Sequence, residues 1–444
     1  MNNIDTRFMY YRRIKIYRRI LLFFAGVGIT LAVIFLYIYE LERMPDVIYV
    51  QSGKEQILDF HVPVSGVLYK EEMVAKQRME AVESISSNSV TLASINVDFS
   101  KKVIISGAQD SDYYADLKLF GFLPYKTVKI ESMDVYEVFP SGQTIGIYIK
   151  TDGVYVVDTG EFQSMNGETV NPCNEKLQSG DYITEVNGES VSRKKDFVQI
   201  ITDSVGATLY MTIIREDEEL TLEIAPVMAE DGTYKIGAWV RDSLQGVGTL
   251  TFVDADGNYA ALGHAIRDTD TNEVVDISSG ALYETSVVSI SRGEKGEPGE
   301  ITGLIKYKED KIIAEVADNT EEGIYGTIVQ EKLVMNDGVE PVEVALKQEV
   351  ELGKATIISM ISGERREYEI EIIDIDYNSD NKKAMTLQVT DEELLELTGG
   401  VIQGMSGSPV IQNGRIIGAV THVLVNDPTK GYAIFIENML KHDN

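Results

Sequence analysis

The sequence predicts a mainly β protein carried on a single N-terminal transmembrane helix. Three observations predict it. Ile20 to Tyr39 is a run of 20 residues without a charge, enough at about 1.5 Å per helical residue to cross roughly 30 Å of hydrocarbon. From Val135 onward, short apolar runs are separated by Gly, Asn and Asp turns. Those runs do not alternate with long helical periods, which favours a sandwich or barrels and disfavours an α/β-hydrolase.

The anchor comes first. Arg7, Arg12, Arg13, Lys15, Arg18 and Arg19 precede the apolar run and Glu40 and Glu42 follow it. The positive-inside bias therefore puts residues 1–19 in the cytoplasm and everything after about Arg43 outside. Tyr37-Ile38-Tyr39-Glu40-Leu41 holds no small-x-small cleavage pattern, so the run reads as a retained anchor and not a cleaved signal peptide.

The bulk numbers narrow the function. A chain of 444 residues with 44% hydrophobic content and a net charge of -31 has material for two or three folded units. It offers no basic surplus beyond its first twenty residues, which excludes nucleic acid as the partner. Cys173 is the single cysteine, so no intrachain disulfide forms. Four histidines, His61, His264, His422 and His442, leave little for a metal cluster. No metal or other cofactor is expected.

By texture the chain divides into four segments. Residues 1–45 are the basic tail and anchor. Residues 46–125 mix short β runs, Val47 to Val50, Val90 to Val97 and Val103 to Ile105, with charged helical stretches such as Glu71 to Glu83. Residues 126–226 form a compact β-rich module and 227–444 a longer β-rich domain, closing on a helix over Ile434 to Lys441.

In the third segment, Ser179 to Gly188 reads as a turn, an alternating strand and an Asn-Gly turn. A helical stretch, Lys194 to Ile201, and two strands, Thr208 to Ile214 and Glu219 to Ile224, follow. Upstream, Thr144-Ile145-Gly146-Ile147 sets a glycine between apolar residues before an extended run. That order resembles a PDZ domain of the bacterial protease-associated type. The resemblance implies that Thr144, Ile145, Gly146 and Ile147 present backbone N–H groups to a peptide carboxylate and that the next strand takes a peptide by β-augmentation.

The chemistry concentrates in the fourth segment. A serine hydroxyl is a poor nucleophile at neutral pH and needs a base within reach and N–H donors for the oxyanion. In Gly404-Met405-Ser406-Gly407-Ser408-Pro409, Gly404 can turn its N–H toward the same oxygen as the N–H of Ser406. Such a Gly-x-Ser-x-x-Pro string resembles the nucleophile loop of chymotrypsin-like peptidases. His264, at the end of Tyr259-Ala260-Ala261-Leu262-Gly263-His264, stands upstream as that order requires. His422, on the run after the serine, competes for the role and reads as lining the substrate channel. For the acid, Asp254, Asp268, Asp270, Asp276, Asp374, Asp376 and Asp391 are all available, and spacing does not choose among them.

A longer string then matters: Thr390-Asp391-Glu392-Glu393-Leu394, Thr398 through Pro409, Gly418-Ala419-Val420-Thr421-His422-Val423 and Val425-Asn426-Asp427-Pro428, with Ala261-Leu262-Gly263-His264 upstream. It closely resembles the SpoIVB peptidases of endospore-forming bacteria. The resemblance implies a trypsin-like double β-barrel peptidase domain behind a PDZ domain, with a triad on His264, Asp391 and Ser406. Asp391 has a competing role, because Thr390-Asp391 before Glu392-Glu393-Leu394-Leu395 is a good helix start. The resemblance further implies a sporulation signal: an enzyme of the forespore that crosses its membrane, cleaves itself between anchor and PDZ domain, and cuts a membrane-bound regulator of the intramembrane protease that processes pro-sigma K. Two other readings remain, a catalytically inert PDZ scaffold and an extracytoplasmic quality-control protease of the HtrA type. The latter places its protease before its PDZ domain, the reverse of the order here.

Overall fold

The computed structural model describes residues 2–58, 60, 63–70, 95–106, 113–134, 136–330, 338–379 and 382–441, with the helical side chains of 2–16 and 38–43 outside the description. The helical stretch expected over Glu71 to Glu83, the start of the run from Val90, and His61 and His442 lie outside the described residues. The chain forms two compact units: Met1–Val135 with Asp376–Asn378, and Tyr136–Ile375 with Ser379–Asn444.

The first unit begins with helix α1 (Asn2–Arg43). Its apolar part, Tyr17–Tyr37, is long and apolar enough to span a membrane. A five-stranded sheet follows: β1 (Val47–Gln51), β2 (Val64–Lys70), β3 (Ile95–Asp98), β4 (Tyr113–Leu119) and β5 (Leu123–Met133), in the order β1-β5-β4-β2-β3. Ile48, Val50, Val64, Phe99, Ala115, Val128 and Ile130 form its core. Residues 127–133, which texture groups with the third segment, are ladder partners of β1 and β4 in this unit. Pairing, which composition does not record, draws that boundary.

The second unit holds two barrels and a side lobe. Strands β6 (Thr144–Thr159), β7 (Tyr182–Val186), β8 (Leu209–Arg215) and β9 (Glu218–Ile224), with helix α2 (Lys194–Asp203), make the lobe. Its core is Val154, Val156, Ile183, Phe197, Ile201, Met211 and Ile213. Strand β6 continues out of the lobe and pairs with β10 (Ala238–Val253) on one side and β12 (Ile277–Ser291) on the other. With β11 (Asn258–Ala261), β13 (Ile312–Thr320) and β14 (Gly323–Ile328) these strands close a ring, β6-β12-β13-β14-β11-β10, that returns to β6.

The second barrel is closed by β15 (Gly353–Ser359), β16 (Arg366–Ile375), β17 (Met385–Val389), β18 (Pro409–Gln412), β19 (Arg415–Val423) and β20 (Lys430–Phe435). Strand β16 reads Tyr368, Ile370, Ile372 inward and Glu367, Glu369, Glu371 outward, the period-two alternation of a half-buried strand. The fold is the mainly β, double-barrel architecture expected, with α3 (Glu392–Thr398) before the serine loop. The terminal helix is shorter than Ile434 to Lys441. Ile434 and Phe435 belong to β20, where Ile434 pairs with Ala419, and α4 covers only Ile436–Leu440.

Candidate active site

The two barrels each deliver one reactive side chain to a shared cleft of about 600 Å³. Its walls include Ile147, Leu262, His264, Gly404, Ser406 and His422. His264 comes from the first barrel. At the end of β11 the chain turns through two left-handed residues, Leu262 (φ 71) and Gly263 (φ 68). Such a φ strains a leucine. Here the leucine is buried, and its N–H donates to the Thr249 carbonyl at 3.2 Å. A side chain on Gly263 would press Ile434 and Thr421 at 3.1 Å, so glycine also lets the two barrels approach. Beyond the histidine, Asn319 pins the chain: it accepts from the Ile266 N–H at 2.7 Å and donates to the Ile266 and Val275 carbonyls at 2.9 Å.

Nδ1 of His264 lies 2.9 Å from the carbonyl oxygen of Ala265. A carbonyl only accepts, so that nitrogen carries the proton and Nε2 keeps its lone pair. Burial pushes the pKa of His264 below its ordinary value, the Ala265 bond opposes this, and Lys382 and Arg267 add to the lowering. Both cations are held by Glu321. The ring is therefore kept neutral, the state a general base needs.

Ser406 comes from the loop before β18. Its carbonyl accepts from the Thr249 N–H at 2.9 Å, and the Thr249 hydroxyl donates to the Gly404 carbonyl at 2.8 Å, so a first-barrel strand grips the loop. Gly404 sits at φ 99, where a side chain would also meet Ile301 at 2.9 Å. Among the described residues, neither the Gly404 nor the Ser406 N–H donates to a protein acceptor. The Ser406 hydroxyl donates to the Thr421 carbonyl at 2.6 Å. That carbonyl is available because the β19–β20 ladder shifts register between Val420 and His422. A bulge of this kind frees a backbone group and re-aims the next side chain.

The re-aimed side chain is His422, whose ring centre is 5.1 Å from that of His264. Its Nδ1 is buried without a hydrogen-bond partner among the described residues. Burial first, then His264 and the cations Lys382 and Lys383, push its pKa down to about 4. His422 thus lines the channel, as its place after the serine loop implies. Asn319 and the bulge at Thr421 are what the sequence reading missed. A lone asparagine and an irregular ladder leave no pattern in a strand.

The structure does not bring Asp391 to this cleft. Asp391 is the N-cap of α3, its carboxylate accepting from the Leu394 N–H at 2.9 Å and the Glu369 N–H at 3.2 Å. With both oxygens committed to backbone amides and no place in the cleft wall, its helix-starting role is the one its geometry serves. The Thr144–Ile147 assignment is also corrected. These residues are buried inside β6; Ile145, Gly146 and Ile147 are paired on both sides, Gly146 with Val247 and with Tyr283, and Thr144 pairs with Thr249. A strand with no open edge cannot take a peptide. The open apolar groove of the lobe lies elsewhere: about 480 Å³ between α2, through Phe197, Val198 and Ile201, and the segment Ile236 to Val240, with Gly160 to Phe162 at one end.

A histidine from one six-stranded barrel and a glycine-flanked serine from the next, facing one cleft, define a double-barrel serine endopeptidase. Residues 232–440 match the family model described as SpoIVB peptidase S55, and residues 145–225 match that of the PDZ domain. The two matches support a SpoIVB-type serine peptidase that carries a PDZ domain. Among solved structures, the PDZ domain of an SdrC-like protein from Listeria monocytogenes is 27% identical over 20% of this chain and 87% of that one, with a TM-score of 0.16. The HtrA-type protease AlgW, solved with a decapeptide, is 12% identical over 46% of this chain and 52% of that one, with a TM-score of 0.27. No curated protein matches the chain.

Proposed function

We propose that Ser406 is the nucleophile and His264 its general base. The reading is supported above all by the convergence of Ser406 and His264 from separate barrels on one cleft. The Ser406 hydroxyl leaves the Thr421 carbonyl and gives its proton to Nε2 of His264 as its oxygen attacks the scissile carbonyl. The free N–H groups of Gly404 and Ser406 hold the oxyanion. His264 returns the proton to the leaving amine, and water then hydrolyses the acyl-enzyme. The Ala265 carbonyl orients the imidazole, the task an aspartate performs in the usual triad. Asp391, which the resemblance makes the acid, holds the helix that precedes the serine loop.

The peptide-binding part of the PDZ lobe is proposed to be the α2 groove. The rest is an expectation from the family. The protein is a single-pass membrane protein with a cytoplasmic N-terminus, active in the forespore intermembrane space. It cleaves itself between anchor and PDZ domain and cuts a membrane-bound regulator, releasing pro-sigma K processing in the mother cell.

The test is a fluorophosphonate probe on the full-length protein in membranes. Labelling that maps to Ser406 and disappears in Ser406→Ala supports the assignment; an unlabelled wild-type chain favours the inert PDZ scaffold instead. Anchored protein that still processes itself as Ser406→Ala would sink self-cleavage by this serine.

A further inference from the structure

In the first unit, the turn between β4 and β5 is Phe120-Gly121-Phe122, followed by Leu123 and Pro124. Phe120 is 63% exposed, Phe122 75% and Leu123 39%. The turn is held firmly: Phe120 and Gly121 adopt φ 54 and 79, and the Phe120 N–H donates to the Pro63 carbonyl at 2.8 Å. Two aromatic rings at the tip of a rigid hairpin are a costly thing to leave in water.

The ladder registers say which way the tip points. Strand β1 leaves the end of α1 and pairs in parallel with β5, Val47 beside Lys129 and Gln51 beside Met133. Moving back toward the membrane along both chains, Lys126 donates to the Met44 carbonyl and pairs with Asp46 at 2.7 Å. One step further, the Tyr37 hydroxyl donates to the Pro124 carbonyl at 2.7 Å. Tyr37 is the last residue of the apolar span Tyr17–Tyr37. Helix and β5 therefore approach the bilayer side by side, and the hairpin precedes β5 on that side. Phe122 lies two residues before Pro124, about 7 Å deeper at strand rise. That depth is level with the last turn of the span, where Val33, Phe35 and Leu36 are themselves 59%, 70% and 57% exposed.

We propose that the Phe120-Gly121-Phe122-Leu123 tip inserts into the outer-leaflet interface of the membrane that α1 spans, as a second attachment point beside the helix. The occupant is lipid: the tip has an apolar end, no unpaired polar side chain at its apex, and continuity with an apolar helix. A single helix lets the body swivel and tilt. A helix with an aromatic wedge hydrogen-bonded to it at Tyr37 gives the first unit one orientation to the bilayer.

The inference rests on the anchor reading, and the experiment separates the two. Cys173 is buried and its thiol is pushed up to about 11, so it does not compete for labelling. Phe35→Cys, Phe122→Cys and Glu55→Cys in the full-length chain, each carrying an environment-sensitive fluorophore, are reconstituted in phospholipid vesicles. Glu55 marks the water side, next to the Gln51 end of β1. The label at 122 should be quenched by spin-labelled lipid about threefold more than the label at 55, and shielded from iodide, as an interfacial side chain is. A label at 122 that iodide reaches as freely as 55, while the label at 35 stays in lipid, overturns the inference and leaves the anchor standing. A label at 35 that iodide reaches overturns the anchor, and the inference with it.

Discussion

The two barrels differ in how far each belongs to itself. The second is closed by six strands of 4 to 10 residues and lends none of them to another module. The first is built on two 16-residue strands, β6 and β10, that run on into the PDZ lobe. The loop after His264 is tied to the lobe as well: Tyr155 donates to Glu273 at 3.0 Å, and the Arg241 guanidinium bridges the buried Asp268 and the exposed Asp270 at 2.5 Å each. The proposed nucleophile thus stands on a barrel that lends no strand to the lobe, and the proposed base on one that shares two strands with it. A disturbance of the lobe should reach catalysis through the histidine more than through the serine loop, which β10 holds at Thr249.

The largest effect tests the serine barrel. Ser406→Ala should lower peptide hydrolysis at least about a thousandfold without altering thermal stability by more than a degree or two. A variant with most of its activity left would separate the reaction from this loop altogether.

Next comes the shared barrel. Asp268→Asn breaks a pair whose carboxylate is fully buried, and should cost about 3 kcal/mol of stability, measured by denaturant unfolding. In the folded protein it should also slow both substrate turnover and phosphonate labelling of Ser406, since each needs the base carried on this barrel. Turnover and labelling both left at wild-type rates would contradict the route through the histidine.

Asp391 gives a smaller and more diagnostic effect. As an N-cap, its replacement in Asp391→Ala should cost about 1 kcal/mol, and hydrolysis at a temperature well below unfolding should change only a few-fold. A loss of about 10⁴-fold, the cost of removing an orienting aspartate, would place it in the reaction despite its bonds to Leu394 and Glu369.

The smallest effect is in pH. Both histidines have folded pKa values below the ordinary 6.5 or so. The unfolded chain therefore binds more protons than the folded one as pH falls below that value, and stability drops. For His422 the drop runs from about 6.5 to about 4 and then levels off. Melting at pH 7 and pH 5 should differ less in His422→Gln than in the wild type, and the acid limb of kcat/KM should lie below 6.5, where His264 is still neutral.

What was legible in the sequence was local. The anchor is a run of apolar residues, the barrel strands alternate with period two, and the serine loop is a glycine string whose spacing carries its chemistry. Even the cap was legible, since Thr390-Asp391 before an acidic helical stretch states its own reason. The Thr144–Ile147 reading went astray because a glycine among β-formers looks the same in a peptide-binding loop and in a central barrel strand. Only the partners differ, and they lie far along the chain, at Gly246–Thr249 and at Leu282–Glu284.

The sequence by itself determined that this chain has an apolar membrane-length helix, a β-rich body and a serine set among glycines before a proline, because each is a property of neighbours along the chain. The tertiary structure decided which residues meet that serine. It brought His264 and His422 to one cleft, freed the Thr421 carbonyl through a bulge and held Asp391 away on a helix end. Closure of two barrels sets those distances, and barrel closure depends on pairings between residues far apart in sequence.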